Sequence, residues 1–465
     1  MMSKLAILSL VLGILSLFFF VLAAIPAIVI GILSILIIRS SAGEIRGKYV
    51  ALAGMSISIV FMFIFCLLWR IDAPPIPNDY TIADLRSAPA ECAESFEILK
   101  TLLGENDDSS VAPVIELTKS DSNMIAEIKG VIETAAIPEI TKAISDNTEE
   151  INQIWADNER ARNIIHRLNE FTEIADLTEP NDNSGIMRDR DLIKLARFYQ
   201  VYTHLKIEQR DIRAFVPQLI EFDSVCRKLS VNARMFFPKL IYLVCIDENI
   251  LTANTIVNDK RTPMSTVELL AGHFTPLTDE QTSLRNSILS SYLDLRSMLT
   301  EISEQIATEK TLPLKKNSTL RFYRNFYNGW IEAEEGRDNV AKTKLSVWPD
   351  IYPFKEPSLS LTDKEQIPML YRCYNPHVNV AGPSYRVLKI VKSGKLLTQV
   401  QDDLLQIVLS NRLGKDFSLK ARAYSDEYII DIENRKVFSP GPDGKANTKD
   451  DIFLRINPDV LVWKD

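Results

Sequence analysis

Two long uncharged segments near the N-terminus constrain this chain more than any other feature. Residues 5–38 and residues 49–69 contain no charged side chain and are rich in Leu, Ile, Val and Phe. Because about 20 apolar residues suffice to span the hydrocarbon core of a bilayer, both segments predict membrane-spanning helices. A cleaved signal peptide is disfavoured, since its apolar region is only about 7–15 residues long.

The number of spans depends on how residues 5–38 are arranged. As one helix this segment would be about 51 Å long, against a hydrocarbon core of about 30 Å. Pro26 follows a pair of alanines, where the chain could turn back into a hairpin of residues 5–22 and 26–38. The second arm of that hairpin is short, at about 20 Å. The sequence therefore leaves two spans and three spans open.

The charges that flank the apolar segments predict their orientation. The loop between the two segments carries Arg39, Arg46 and Lys48 against a single acidic residue, Glu44. Cytoplasmic loops are enriched in Lys and Arg, so this loop is expected in the cytoplasm. With either number of spans, every residue after Arg70 then lies on the non-cytoplasmic side.

The same stretch resembles a small bacterial membrane module of unknown function. That module has a Gly-containing first helix, a Pro-Ala segment followed by Gly, a basic Gly-containing loop, and an Ala-x-Ala-Gly start to its last helix. The residues that carry the match are Gly13, Pro26, Ala27, Gly31, Gly47, Ala51, Ala53 and Gly54. The resemblance covers only the anchor, and it implies a bacterial envelope protein without implying an activity. The expected location is the bacterial inner (cytoplasmic) membrane, as a multi-pass protein with its C-terminal domain on the non-cytoplasmic side.

The charge of the remaining chain excludes one class of partner. The chain of 465 residues has a net charge of −8, and residues 1–72 contain five basic and two acidic side chains, so residues 73–465 carry −11. Binding to a phosphate backbone needs a basic surface, so nucleic acid is not expected as a partner. The expected partners are the lipid bilayer, through residues 5–70, and a protein of the cell envelope.

Four cysteines lie outside the predicted anchor. Cys92, Cys226, Cys245 and Cys373 would face an oxidising compartment if the exterior part is periplasmic. Their pairing cannot be read from the sequence, and buried free thiols are an equally good interpretation. Their spacing lacks C-x-x-C, which disfavours a metal site built from them.

Hydrophobic periodicity divides the chain into five segments and predicts a mainly α fold. These are a transmembrane anchor of two or three helices (1–71), a Pro-rich linker (72–80), a helical domain (81–310), a helical or irregular subdomain (311–414) and a small β subdomain with an acidic loop (415–465). The helical domain is expected to be a bundle or an irregular solenoid. Short period-two runs at 428–432, 437–438 and 452–456 predict a C-terminal antiparallel β-meander.

One acidic loop in this meander has the composition of a cation site. Residues 439–452 read SPGPDGKANTKDDI, and Asp443, Asn447, Asp450 and Asp451 supply three carboxylates and one amide oxygen. Hard oxygen ligands on a tight loop are what Ca²⁺ requires. The spacing is not that of an EF-hand, and an acidic surface turn without a metal is the competing interpretation.

The loop also resembles the Gly-Pro-Asp-Gly…Asp-Asp-Ile calcium loop near the C-terminus of G-type pseudopilins of type II secretion, and similar tails of uncharacterised helical envelope proteins. By that resemblance Asp443, Asn447, Asp450 and Asp451 are the expected Ca²⁺ ligands. The chain has no prepilin-type N-terminus, so the resemblance is confined to the tail. No characterised protein resembles the whole chain.

The sequence contains no strong catalytic signature. His166, His204, His273 and His377 have no metal-type partner four residues on, and H-E-x-x-H, G-x-S-x-G, P-loop and Rossmann motifs are absent. The expected function is that of a membrane-anchored envelope protein with a structural or protein-binding role, beside a secretion or pilus-like system. The alternative is a periplasmic hydrolase acting on glycan or peptide, which a groove lined by several carboxylates would favour.

Overall fold

The chain is mainly helical, with a small antiparallel sheet of three strands at its C-terminus. This confirms the predicted fold class in its coarse form. The computed structural model describes residues 3–19, 21–41, 45–70, 72, 74–85, 92–103, 114–134, 137–175, 177, 190–309, 316–334 and 385–461. The predicted irregular segment around 335–384 lies outside these residues.

The elements follow one another along the chain as successive helices and then the sheet. The first helices are α1 (Lys4–Phe19), α2 (Val21–Ser40) and α3 (Lys48–Arg70). The next are α4 (Cys92–Leu103), α5 (Lys119–Thr134), α6 (Ile137–Asp146), α7 (Thr148–Asp157), α8 (Glu159–Glu170), α9 (Arg190–Glu208), α10 (Ile212–Asn232), α11 (Phe236–Asn258) and α12 (Met264–His273). The last are α13 (Asp279–Thr282), α14 (Arg285–Glu309), α15 (Lys316–Glu334) and α16 (Tyr385–Arg412), followed by strands β1 (Ile429–Asp431), β2 (Lys436–Ser439) and β3 (Ile452–Arg455).

The chain forms two compact units. In the described part of the chain, the first unit contains residues 3–79 and 295–329, and the second contains residues 80–294, 330–334 and 385–461. The predicted segments divide the chain along its length, whereas these units are compact in space. The two partitions therefore differ, because α14 and α15 each contribute to both units.

The first unit begins with three packed helices rather than two. Helix α1 ends at Phe19 and α2 begins at Val21, and Pro26 lies inside α2 instead of marking the turn. Because it begins at Val21, α2 has 20 residues. The second arm of the hairpin considered from the sequence, residues 26–38, was shorter. The window 23–40 of α2 is long and apolar enough to cross a membrane, with a mean hydropathy of 2.3.

Small side chains fill the interior of this three-helix bundle and large apolar side chains cover its outside. The buried positions include Ala6, Ala24, Ala27, Ala51, Ser9, Ser16, Ser34 and Ser58. The exposed positions include Ile7, Val11, Ile14, Val29, Leu33, Leu36, Ile59, Val60 and Phe63. In water this distribution would be unfavourable, because apolar area is stabilised by burial. It is the distribution expected where helices pack through small residues and face lipid.

Two glycines allow the closest approach within the bundle. A methyl group on Gly13 would lie 2.5 Å from the Gly54 carbonyl oxygen, and one on Gly54 would lie 2.6 Å from the Ser9 carbonyl carbon. The backbones of α1 and α3 therefore meet directly. The Ser9 hydroxyl also donates a hydrogen bond to the Ala27 carbonyl oxygen at 2.9 Å, which connects α2 to the crossing of α1 and α3.

The segment predicted as a linker is bonded to α15. The Asp72 carboxylate accepts hydrogen bonds from the backbone N–H groups of Asn317 (2.7 Å) and Ser318 (3.0 Å), and from the Ser318 hydroxyl (2.8 Å). The first N–H groups of a helix lack intrahelical partners, so Asp72 acts as a cap supplied from elsewhere in the chain. Further along, Arg324 donates to the Asn78 carbonyl oxygen at 3.0 Å.

The core of the second unit lies among α9, α10, α11 and α16. Its largest buried side chains are aromatic, among them Phe198, Tyr199, Phe215, Phe222 and Tyr242. Each such side chain stabilises the fold by about 1.5–3 kcal/mol through burial. Helix α11 is also long and apolar enough to cross a membrane, but 72% of it is buried inside the chain. Burial of this extent makes α11 a core helix of the second unit.

The C-terminal strands form the predicted meander in the order β1-β2-β3. Ile430 faces Val437 across the first pair, and Val437 faces Leu454 across the second. Val437 and Leu454 are fully buried, whereas Phe453 is exposed. One face of the sheet is therefore packed against the unit, and the loop between β2 and β3 extends from its edge.

Candidate functional site

The predicted ligand residues all lie in the loop of residues 440–451 that joins β2 to β3. This loop turns at Gly441, whose φ of +70° belongs to the left-handed region that glycine adopts without strain. A methyl group there would lie 2.0 Å from the Asp450 carbonyl oxygen. The close approach brings the two ends of the loop together, so Asp443 and Asp450 become neighbours although seven positions separate them.

Asp450 is held by donors from the same loop. Its Oδ2 accepts the Asp443 backbone N–H at 3.0 Å, and its Oδ1 lies 2.7 Å from the Thr448 hydroxyl. The hydrogen bonds from Thr448 and then Asp443 lower the pKa of Asp450. Asp443 Oδ1 and Asp451 Oδ1 each lie 3.4 Å from the same Thr448 hydroxyl. The three predicted carboxylates therefore converge on one side chain.

The positive charge of Lys436 lies next to Asn447 and Asp451 of the loop. Lys436 Nζ donates to Asn447 Oδ1 at 3.0 Å and lies 3.5 Å from Asp451 Oδ2. Asp451 Oδ2 also accepts the Asn447 backbone N–H at 2.9 Å. Over the described residues, no group of three or more His, Cys, Asp or Glu side chains is arranged to hold a metal ion. The oxygen atoms of the loop are of the kind that Ca²⁺ requires. In this structure, however, hydrogen bonds within the loop and Lys436 already engage oxygen atoms of Asn447, Asp450 and Asp451.

A second polar cluster is buried in the core and was missed from the sequence. Asp223 of α10, which is fully buried, accepts Arg227 Nε at 2.6 Å and His273 Nε2 at 2.9 Å on one oxygen. Its other oxygen lies 3.3 Å from the amide nitrogen of Asn249. Arg227 and the hydrogen bond from His273 lower the pKa of Asp223 against the opposing effect of burial. Four helical positions separate Asp223 from Arg227, and this spacing was the available signal.

Asp402 of α16 completes this cluster from the opposite side. Its Oδ2 accepts the Leu277 backbone N–H at 2.7 Å, and its Oδ1 lies 3.8 Å from Arg227 Nη2, too far for a hydrogen bond. Burial raises the pKa of Asp402 to about 6, and Arg227 opposes that shift. The cluster connects α10, α12 and α16 inside the core. Its location there indicates a structural role.

The histidines in the described chain do not come together. His166 is exposed, and its pKa is raised by a 2.9 Å hydrogen bond to Glu221. Burial lowers the pKa of His204 to about 4. His273 belongs to the Asp223 cluster, and His377 lies outside the described residues. The three described histidines therefore lie in different surroundings and do not form a common site.

Three cysteines that follow the anchor, Cys92, Cys226 and Cys245, are buried, and Cys226 and Cys245 are free thiols. Cys373 lies outside the described residues. Burial, followed by the neighbouring Cys245 thiol, raises the pKa of Cys226 well above its ordinary value. A buried thiol with a raised pKa is a poor nucleophile, so Cys226 is not a reactive cysteine.

A cleft of about 440 Å³ opens between α4 and α8. It is lined by Ile98 and Thr101 of α4 and by Glu159, Arg160, Asn163, Ile164 and Arg167 of α8. Only one of these side chains is a carboxylate, whereas two are guanidinium groups. Sequence reasoning did not identify this cleft, because its two walls are separated by more than fifty residues.

Comparison of the chain with known families, proteins and structures found no match. No family of known proteins matches the chain, and no curated protein or solved structure is significantly similar to it. The resemblances of the N-terminal anchor and of the C-terminal loop therefore remain expectations.

Proposed function

We propose that this chain is a membrane-anchored envelope protein with a structural or protein-binding role. The observation that carries the proposal is the bundle of α1, α2 and α3, in which Ala, Ser and Gly face inward and Ile, Leu, Val and Phe face outward. Such a bundle is stable where its outer surface contacts lipid tails. The three helices would cross the inner membrane of a bacterium, in line with the module that they resemble.

The flanking charges support an orientation for the anchor. Arg39 lies in the last turn of α2 and Lys48 begins α3, so the connection between these helices is basic at both ends. With this connection in the cytoplasm, the residues after Arg70 lie on the non-cytoplasmic side. The acidic exterior part would then meet its partner in the envelope, beside a secretion or pilus-like system as the C-terminal loop suggests by resemblance.

Calcium binding by the loop of residues 440–451 is part of this proposal. Asp443, Asp450 and Asp451 converge on the Thr448 hydroxyl, and Asn447 supplies an amide oxygen beside them. A bound Ca²⁺ would offset the repulsion among the three carboxylates and would stiffen the edge of the meander. The ion would have a structural role.

The hydrolase alternative finds less support. It requires paired carboxylates in a groove, and among its described residues the cleft between α4 and α8 contains a single carboxylate, Glu159. The buried Asp223 is engaged by Arg227 and His273 inside the core. Protein binding therefore remains the preferred function.

A pair of reporter fusions tests the anchor and its orientation. A reporter that is active only outside the cytoplasm, fused after Asp465, should give signal, and a reporter active only in the cytoplasm should not. The chain should also remain in the membrane fraction after extraction with alkaline carbonate. Recovery of the chain in the soluble fraction, or signal from the cytoplasmic reporter alone, would contradict the proposal.

A further inference from the structure

We infer that the cleft between α4 and α8 is a binding site for a small organic anion, with a carboxylate or phosphate group and a short apolar body. This inference is independent of the membrane anchor. It depends on the geometry, the charges and the lining of the cleft, which lies entirely within the second unit.

The spacing of the cleft residues places three polar side chains on one face of α8. Arg160, Asn163 and Arg167 are separated by three and then four positions, which is the repeat of one helical face. All three side chains are exposed, so they are accessible to a ligand. Thr101 of α4 lines the opposite wall, where its hydroxyl donates to the Glu97 carbonyl oxygen at 3.0 Å.

The two guanidinium groups are available for a ligand. Neither Arg160 nor Arg167 has a hydrogen-bond or ion-pair partner among the described residues. Elsewhere in the same unit, Arg422 contacts Asp403 at 2.8 Å and Arg261 contacts Asp259 at 2.8 Å. A planar guanidinium group recognises carboxylate and phosphate through two parallel hydrogen bonds, so two such groups in one cleft select an anion.

The charge balance of the cleft contrasts with that of the surrounding chain. Two arginines against Glu159 give the cleft a positive balance, whereas residues 73–465 carry −11. A positive cleft in an acidic protein attracts a compact anion. A long polyanion such as nucleic acid would meet repulsion from the rest of the surface.

The apolar part of the lining defines the body of the ligand. Ile98 and Ile164 line the cleft, and 9% and 8% of their surfaces remain exposed. Their uncovered area favours contact with a hydrocarbon or aromatic group. The volume of about 440 Å³ lies within the range of about 300–1,000 Å³ that is typical of small-molecule sites. The ligand is therefore a small amphiphilic anion.

Calorimetric titration of the full chain in nanodiscs of a zwitterionic lipid tests the inference. The probes are phenyl phosphate, benzoate and the neutral benzyl alcohol. Phenyl phosphate and benzoate should bind and benzyl alcohol should not, and added salt should weaken binding because it screens the guanidinium charges. The double variant Arg160→Gln/Arg167→Gln should reduce affinity by roughly tenfold or more, since it removes the charge-assisted hydrogen bonds to the anion.

A matched substitution controls for net charge. Arg213 is exposed on α10 outside the cleft, and Arg213→Gln should leave the affinity unchanged. Glu159→Gln should strengthen binding, because it removes a negative charge that lies beside the two arginines of the cleft. Absence of binding for both anions, equal binding of benzyl alcohol, or an equal loss in Arg213→Gln would overturn the inference.

A further arm distinguishes two sources of the anion. Dibutyryl phosphatidic acid, which is soluble, presents a lipid headgroup, and phenyl phosphate represents a soluble metabolite. Tighter binding of the first would identify a lipid headgroup, and tighter binding of the second a soluble compound. In either case the binding must be lost in the double Gln variant, and retention of binding there would show that the cleft is not the site.

Discussion

Three charged side chains lie in the core of the second unit. Asp223, Arg227 and Asp402 are all enclosed, and their side chains are at most 6% exposed. Removing one member of a buried charged group leaves an uncompensated charge, which destabilises a protein by about 3–5 kcal/mol. The cluster therefore makes the junction of α10, α12 and α16 sensitive to single substitutions.

The stability of this junction should depend on pH through Asp402. Its pKa in the folded chain is about 6, above the ordinary value of 3.8, so the folded state binds the proton more tightly than the unfolded state. The resulting stabilisation is complete below pH 3.8 and is lost as pH rises through about 6. Relative to Asp402→Asn, the parent chain should therefore lose up to about 3 kcal/mol of stability across that window.

Urea titration followed by tryptophan fluorescence at several pH values measures this difference. Asp146 is an exposed carboxyl group on α6, and Asp146→Asn is the matched control. A difference between the parent chain and Asp402→Asn that does not change with pH would show that Asp402 does not titrate in this range.

At the level of elements, the crossing of α1 and α3 has no room for a side chain. In Gly54→Ala the new methyl group would lie 2.6 Å from the backbone of Ser9, so the helices must separate. The loss of close packing should lower the resistance of the bundle to unfolding in SDS. Gly130→Ala in α5 is the control, because no atom lies within 4 Å of its new methyl group. Equal SDS resistance of Gly54→Ala and the parent chain would contradict this packing.

The loop between β2 and β3 should respond to calcium if its carboxylates bind the ion. Binding to the folded state alone stabilises it by about 2.7 kcal/mol at a hundredfold excess over Kd, so Ca²⁺ should raise the Tm or protect the meander from proteolysis. Mg²⁺ should act more weakly, because it dehydrates reluctantly. Lys436→Met should strengthen the effect, since it removes the cation beside Asn447 and Asp451.

Two variants separate a specific calcium effect from a general one. Asp450→Ala combined with Asp451→Ala should abolish the difference between Ca²⁺ and Mg²⁺, whereas Asp416→Ala at an exposed position outside the loop should preserve it. If Ca²⁺ changes neither the Tm nor the protease sensitivity of the parent chain, the loop is an ordinary acidic turn.

At the level of the whole molecule, removal of the bundle should leave a water-soluble chain. The outward-facing Ile, Leu and Val side chains of α1, α2 and α3 are lost with it, and the remaining long apolar helix, α11, is buried. A chain that begins at Asp72 should therefore be soluble and strongly helical by circular dichroism. Aggregation in every buffer, or a mainly β spectrum, would refute this expectation.

The position of the cut should affect the stability of the truncated chain. A chain that begins at Tyr80 lacks the Asp72 carboxylate that caps α15, and a lost cap destabilises a helix by about 1 kcal/mol. It should melt at a lower temperature than the chain that begins at Asp72. The substitution Asp72→Ala in the longer chain should reproduce part of that decrease.

Local patterns in the sequence were sufficient for much of the fold. Period-two runs predicted the meander, and the structure places β1, β2 and β3 within them or next to them. Helical periodicity predicted the mainly α class, because amphipathic faces repeat every three to four residues. The residues of the acidic loop were also predicted as one group, since they lie within nine positions of one another.

The sequence by itself determined the mainly helical class, the apolar N-terminal segments and the charge of the remaining chain, because each depends on residues close together in sequence. Only the tertiary structure decided that α11 is a core helix, that Asp72 caps α15, and that Asp223 and Asp402 share one buried cluster. It also decided that Arg160 and Arg167 face α4 across a cleft. These contacts join positions that are distant along the chain, and a periodic pattern carries no information about which distant segments will pack together.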